Sequence, residues 1–105
     1  MKNFISTGDI LEVVAPYDVT SGDGVLVGSI FGIASGDAVT GQPVNIKRSG
    51  VFDHAKLSAQ AWTQGAAIYW DNTARLLTTV TTSNTLVGSA AVAAANPSAT
   101  GRVVI

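Results

Sequence analysis

The chain has 105 residues, of which 47% are apolar and only 12% charged, with six Lys/Arg against seven Asp/Glu for a net charge of −1. That length suits one domain, and the charge balance excludes a basic nucleic-acid glove, whose footprint needs clustered Lys and Arg. No cysteine and a single histidine exclude a disulfide framework, a thiolate metal centre, a cysteine nucleophile and a multi-histidine metal site within one chain.

In chain order, Met1-Lys2-Asn3-Phe4-Ile5 starts like a secretory signal but breaks at Ser6-Thr7-Gly8-Asp9. An apolar signal core of roughly 7–15 residues has no room to form there, so no cleaved signal is expected. Met1–Gly8 reads instead as a short, neutral, flexible N-terminal arm within a single β domain spanning residues 1–105. Ile10–Ala15 is apolar and ends at Pro16, which suits a strand end. The turn Ser21-Gly22-Asp23-Gly24 leads into Val25–Gly28 and Ile30–Ala34, and a second turn follows at Ser35-Gly36-Asp37. Val44–Lys47 alternates apolar and polar residues, the period of a half-buried strand. Gly50–Ala55 is expected as its hairpin partner across Ser49-Gly50.

Leu57–Gln64 is the one segment that reads as a helical turn, with Ser58 as a cap and Gly65 as a stop. Ala66–Trp70 and Arg75–Thr79 form a hairpin around Asp71–Ala74. Leu86–Ala93 and Arg102–Ile105 complete the strands, with a loop at Asn96–Gly101 between them. Ala90–Ala95 is rich in a helix-favouring residue, but Gly88 and the β-branched Val87 and Val92 point to strand. The expectation is an all-β fold, a small antiparallel barrel or sandwich of about eight short strands, with at most one short helical turn. The longest mostly apolar stretches, Val25–Ala34 and Leu86–Ala95, are half the roughly 20 residues a membrane helix needs. No membrane partner is expected.

Motifs with chemistry are sparse. Gly-Asp recurs at Gly8-Asp9, Gly22-Asp23 and Gly36-Asp37, each fourteen residues after the last, and reads as three turns, because Gly takes positive φ and Asp bonds its own turn backbone. The segments between show no further self-similarity. Gly24, Gly28, Gly32 and Gly36 match no dinucleotide fingerprint, and no Gly-Lys pair exists for a Walker A loop, so no phosphate cradle is expected. Asp53 and His54 are adjacent, hence on opposite faces of a strand, and no Gly-x-Ser-x-Gly elbow accompanies them. His54 therefore reads as a satisfied side chain, with no catalytic residues. The turn residues Asp9, Asp23, Asp37 and Asp71 make no calcium loop; no metal and no cofactor are expected. Trp62, Tyr69 and Trp70 could form a base-stacking platform, but only Arg75 lies nearby as a cation. At least one tryptophan reads as the largest core residue, with Trp62 plugging one end of the barrel.

Taken in order, Met1–Ile5, Leu11–Pro16, Ser21–Gly28, Gly50-Val51-Phe52, Ala61–Gly65, Tyr69-Trp70-Asp71, Leu86-Val87-Gly88 and Gly101-Arg102-Val103 resemble the small phage cement protein family. The resemblance covers essentially the whole chain. It implies a non-enzymatic capsid decoration protein that binds the outer surface of the assembled major capsid lattice and stabilises the head. A homotrimer at a capsid symmetry axis is implied with it, located in the virion, and in the host cytoplasm before assembly. The RecA-like recombinase label often given to the family is at odds with this sequence, which has no Walker A lysine and is too short for a RecA ATPase core. The competing reading is a small β-barrel nucleic-acid-binding module of phage origin, resting on Trp70 and Arg75.

Overall fold

The computed structural model describes residues 8–105. Among them lie nine strands: β1 (Ile10–Val14), β2 (Gly24–Val27), β3 (Ile30–Ala34), β4 (Pro43–Lys47), β5 (Val51–Ala55), β6 (Ala67–Asp71), β7 (Leu76–Thr78), β8 (Thr85–Ala90) and β9 (Thr100–Val104). They form two antiparallel sheets, ordered β1-β4-β3-β2 and β5-β9-β8-β6-β7. Of the two all-β architectures expected, the sandwich-like one is present. The second sheet curls until β5 and β7 touch at the Lys56/Leu77 bridge without closing into a barrel. The candidate arm, apart from Gly8, lies outside the described residues.

Two expectations are corrected. No helix occurs among the described residues, and Leu57–Gln64 is not a helical turn. This stretch is pulled out at both ends, by the Lys56/Leu77 bridge and by the Trp62/Ala94 bridge, whose reciprocal amide bonds are 2.9 and 3.0 Å. Those pairings use backbone groups that a helix would need for itself. Nor do β4 and β5 form a hairpin. β4 already has β1 on one edge and β3 on the other, so no ladder remains free, and Ser49-Gly50 carries the chain into the second sheet. The expected β6–β7 hairpin is present.

Both sheets follow one plan. In the first, β1 leads through a loop (15–23) to the β2–β3 hairpin, then through a second loop (35–42) to β4. The second sheet repeats this as β5, loop 56–66, β6 and β8, loop 91–99 and β9, with β7 inserted between β6 and β8. The spatial orders β1-β4-β3-β2 and β5-β9-β8-β6 coincide. The loop hydrogen bonds recur as well. Val19 and Ala38 exchange amide bonds as Trp62 and Ala94 do. Gly22 N donates to Ala34 O at 2.9 Å, and Gly65 N to Ala90 O at 2.8 Å. Ala34 N donates to Asp23 O, and Ala90 N to Ala66 O, at 2.8 and 2.9 Å. First-loop positions map by a constant 43 residues (19 to 62, 22 to 65, 23 to 66) and second-loop positions by 56 (34 to 90, 38 to 94). The chain is an internal duplication, at a period the Gly-Asp spacing does not mark.

Each half buries one face under its own paired loops. Val13, Val19, Val25, Ala34, Val44 and Ile46 form the core of the first half. Trp62, Ile68, Trp70, Leu77, Ala90 and Val103 form that of the second, joined by Phe31 and Ile33 from the opposite face of β3. The halves therefore pack head to tail, the outer face of the first against the core of the second.

Candidate functional site

The junction between halves gathers Tyr17, Asp23, His54, Trp70 and Arg75. His54, on β5, turns its ring edge-on to Trp70 at 5.2 Å. Its Nδ1 lies 3.0 Å from Ala55 O, and its Nε2 accepts the Gly24 amide at 3.2 Å. A neutral ring with its proton on Nδ1 satisfies both contacts. Gly24 is where it is because the Trp70 ring lies over it: a Cβ there would stand 2.5 Å from Trp70 Cη2. Across the same junction the Arg75 guanidinium carbon lies over the Tyr17 ring, 3.3 Å from its centre. Arg75 holds a left-handed backbone, φ 59, and its Nε donates to Asn72 O at 2.7 Å. A cation over an aromatic face is worth about 0.5–2 kcal/mol. Burial pushes the Tyr17 phenol above its ordinary pKa. Tyr17, Asp23, His54, Trp70 and Arg75 line an open cleft of about 440 Å³.

Asp53, on the other face of β5, pairs with Arg102 of β9, Oδ1 to Nε at 2.9 Å. The guanidinium holds that carboxyl below its usual pKa. Both ring nitrogens of His54 face backbone groups, and Asp53 faces away from it. Neither His54 nor Asp53 hydrogen-bonds a hydroxyl nucleophile among the described residues.

Of the aromatic residues read as a stacking platform, Trp62 and Trp70 are only 2% and 1% exposed. Neither indole face is free to stack on a base. Among the described residues no group of three or more His, Asp or Glu gathers at metal-binding range, and no helix is long and apolar enough to cross a membrane. Of the Gly-Asp pairs, only Asp23 bonds within its own turn, accepting Thr20 N at 2.9 Å. Asp37 accepts Ser21 N, and Asp9 accepts the Ser49 hydroxyl, both at 2.8 Å, so these two tie separate segments together.

Sequence reading missed Lys56, which is buried with its ammonium bonded to Leu57 O and Gln60 O and set 5.7 Å over the Trp62 ring. Gln60 extends this network to Thr78 Oγ1 and Thr79 N. A lone lysine after an alternating strand carries no signal of burial, because its carbonyl partners are backbone.

Among the described residues several large aliphatic side chains stand in solvent. Ile10, Val14, Val39, Val51 and Leu86 each present more than half their area to solvent, and Asp53–Arg102 is the one ion pair among the described residues. The phage cement protein family matches residues 5–105. The chain belongs to the phage cement protein family. This membership covers nearly the whole sequence and gives it a structural role in the phage capsid. No curated protein and no solved structure matches the chain. In this cement protein Trp70, His54 and Arg75 join the halves, through Phe31, Gly24 and Tyr17.

Proposed function

We propose that this cement protein binds the outer surface of the assembled major capsid lattice and stabilises the head, without catalysis, cofactor, nucleic-acid or membrane partner. On this reading it is made in the host cytoplasm as one β domain with residues 1–8 as an arm, associates as a homotrimer and resides on the capsid. Its exposed surface carries the reading: large aliphatic side chains stand open, and charged residues make up only 12% of the chain. The cores of large protein contacts are depleted in charged residues, and contiguous apolar patches of a few hundred Å² usually mark contact sites. The test is sedimentation of the purified protein with unexpanded and expanded heads at low and high salt. Pelleting with expanded heads, little changed by salt, is expected. No pelleting with either head form, or pelleting with bare DNA that falls as salt rises, would overturn the reading in favour of the nucleic-acid module.

A further inference from the structure

The head-to-tail packing of the two halves has a free counterpart at each end. In the first half the outer face carries Leu26 paired across to Phe31, and Gly24 paired to Ile33. Phe31 and Ile33 are buried against the second half, and Leu26 packs there with them. The same register in the second half pairs Tyr69 with Leu86 and Ala67 with Ser89. The bulge between Ile68 and Tyr69 takes up Val87, which packs inward. Leu86 thus occupies the place of Phe31, yet it is 60% exposed where Phe31 is 9%.

At the other end, the second-half residues that receive Phe31 include Trp70, 5.2 Å away between ring centres, with Phe52 packed alongside in the same cluster. Their counterparts in the first half are Val27 and Leu11. Both are only partly buried at the margin of the first core, together with Ile30. One half offers a knob with no socket and the other a socket with no knob.

We infer that a second copy of this chain covers the Tyr69/Leu86 face, with Leu86 of one copy entering the margin formed by Leu11, Val27 and Ile30 of the next. The contact between copies thereby repeats the contact between halves. Such a contact is heterologous, with different surfaces meeting, and it generates a ring when the rotation closes. A ring of three copies would set six like units around its axis. The inference deepens the self-association in the proposed function, but its evidence is the duplication and its unequal burial.

The cysteine-free chain makes a direct test possible. Leu86→Cys and Ile30→Cys are prepared as separate proteins, and each is oxidised alone and then mixed with the other. A disulfide-linked pair that forms chiefly in the mixture, and a Leu86→Asp protein that sediments as monomer where the parent sediments as a ring, are expected. Cross-linking of Leu86→Cys with itself would show like surfaces meeting and overturn the inference. So would an unchanged oligomer in Leu86→Asp. If Leu86→Asp keeps its oligomeric state but no longer pellets with expanded heads, the face belongs to the capsid contact. That outcome removes the second copy from this face and leaves the proposed function standing. An oligomer that dissociates as expected, from a parent that never binds heads, would do the reverse.

Discussion

Trp62 stands in the second half where Val19 stands in the first, and the difference in bulk is absorbed by its neighbour. Register places Gly101 opposite His54 as it places Val44 opposite Val13. A Cβ on Gly101 would lie 2.2 Å from Trp62 Cζ3, and the indole, 2% exposed, has nowhere to swing. The pair Val19 with Val44 has become Trp62 with Gly101, one large and one absent side chain in place of two of middling size. Gly101→Ala is therefore expected to destabilise by about 1–3 kcal/mol, the usual cost of overpacking, read by urea denaturation. Gly36→Ala, whose added Cβ meets nothing within 4 Å, is the matching control and should change stability by less than about 0.5 kcal/mol. Equal losses in the two variants would show that the ring can move aside.

Among the elements, the paired loops of the first half are held by carboxylates at their corners. Asp18 accepts both the amide and the hydroxyl of Thr40, at 2.8 and 2.9 Å, and Asp37 accepts the Ser21 amide in the mirrored position. The Thr40 bonds hold the Asp18 carboxyl below its ordinary pKa. A folded-state value below the unfolded one, about 3.9 for aspartate, contributes stability that is present above that value and is lost as pH falls through the folded one. Asp18→Asn is expected to flatten the acid side of a stability-against-pH profile, leaving the part that Asp53 supplies through Arg102. Identical acid slopes in parent and variant would show that Thr40 does nothing for the carboxylate. These corners also mark what could be read beforehand. Strand positions, the β6–β7 hairpin and the burial of Trp62 followed from apolar runs, turn residues and side-chain size. Asp18 and Asp37 did not, because their partners lie 22 and 16 residues away and no local spacing encodes them. The supposed helical turn failed for the same reason: Lys56 and Trp62 are bridged to Leu77 and Ala94, which local propensity cannot see.

For the whole molecule, the duplication was hidden because the halves share backbone constraints and not side chains. Gly32 and Gly88 are the clearest case. A Cβ on Gly32 would meet Lys47 O at 2.9 Å, and one on Gly88 would meet Val104 O at 2.1 Å, the same close approach in each sheet, while the residues around them differ. The same plan also decides where the backbone passes between halves. Arg48 N donates to Asp9 O at 2.7 Å, and Ile105 N donates to Gly50 O at 3.0 Å. The start of β1 and the end of β9 thus flank the single crossing at residues 48–50. Connectivity is then a free variable: which half is translated first does not determine which strands are neighbours. A circular permutant that begins at Gly50, ends at Ser49 and joins Ile105 to the residues preceding Gly8 through a short glycine linker keeps both sheet orders. It should fold to the parental far-ultraviolet spectrum and unfold in one cooperative step. A permutant that collapses without that step would mean that the crossing itself aligns the two cores, and that the halves cannot find each other when joined the other way round.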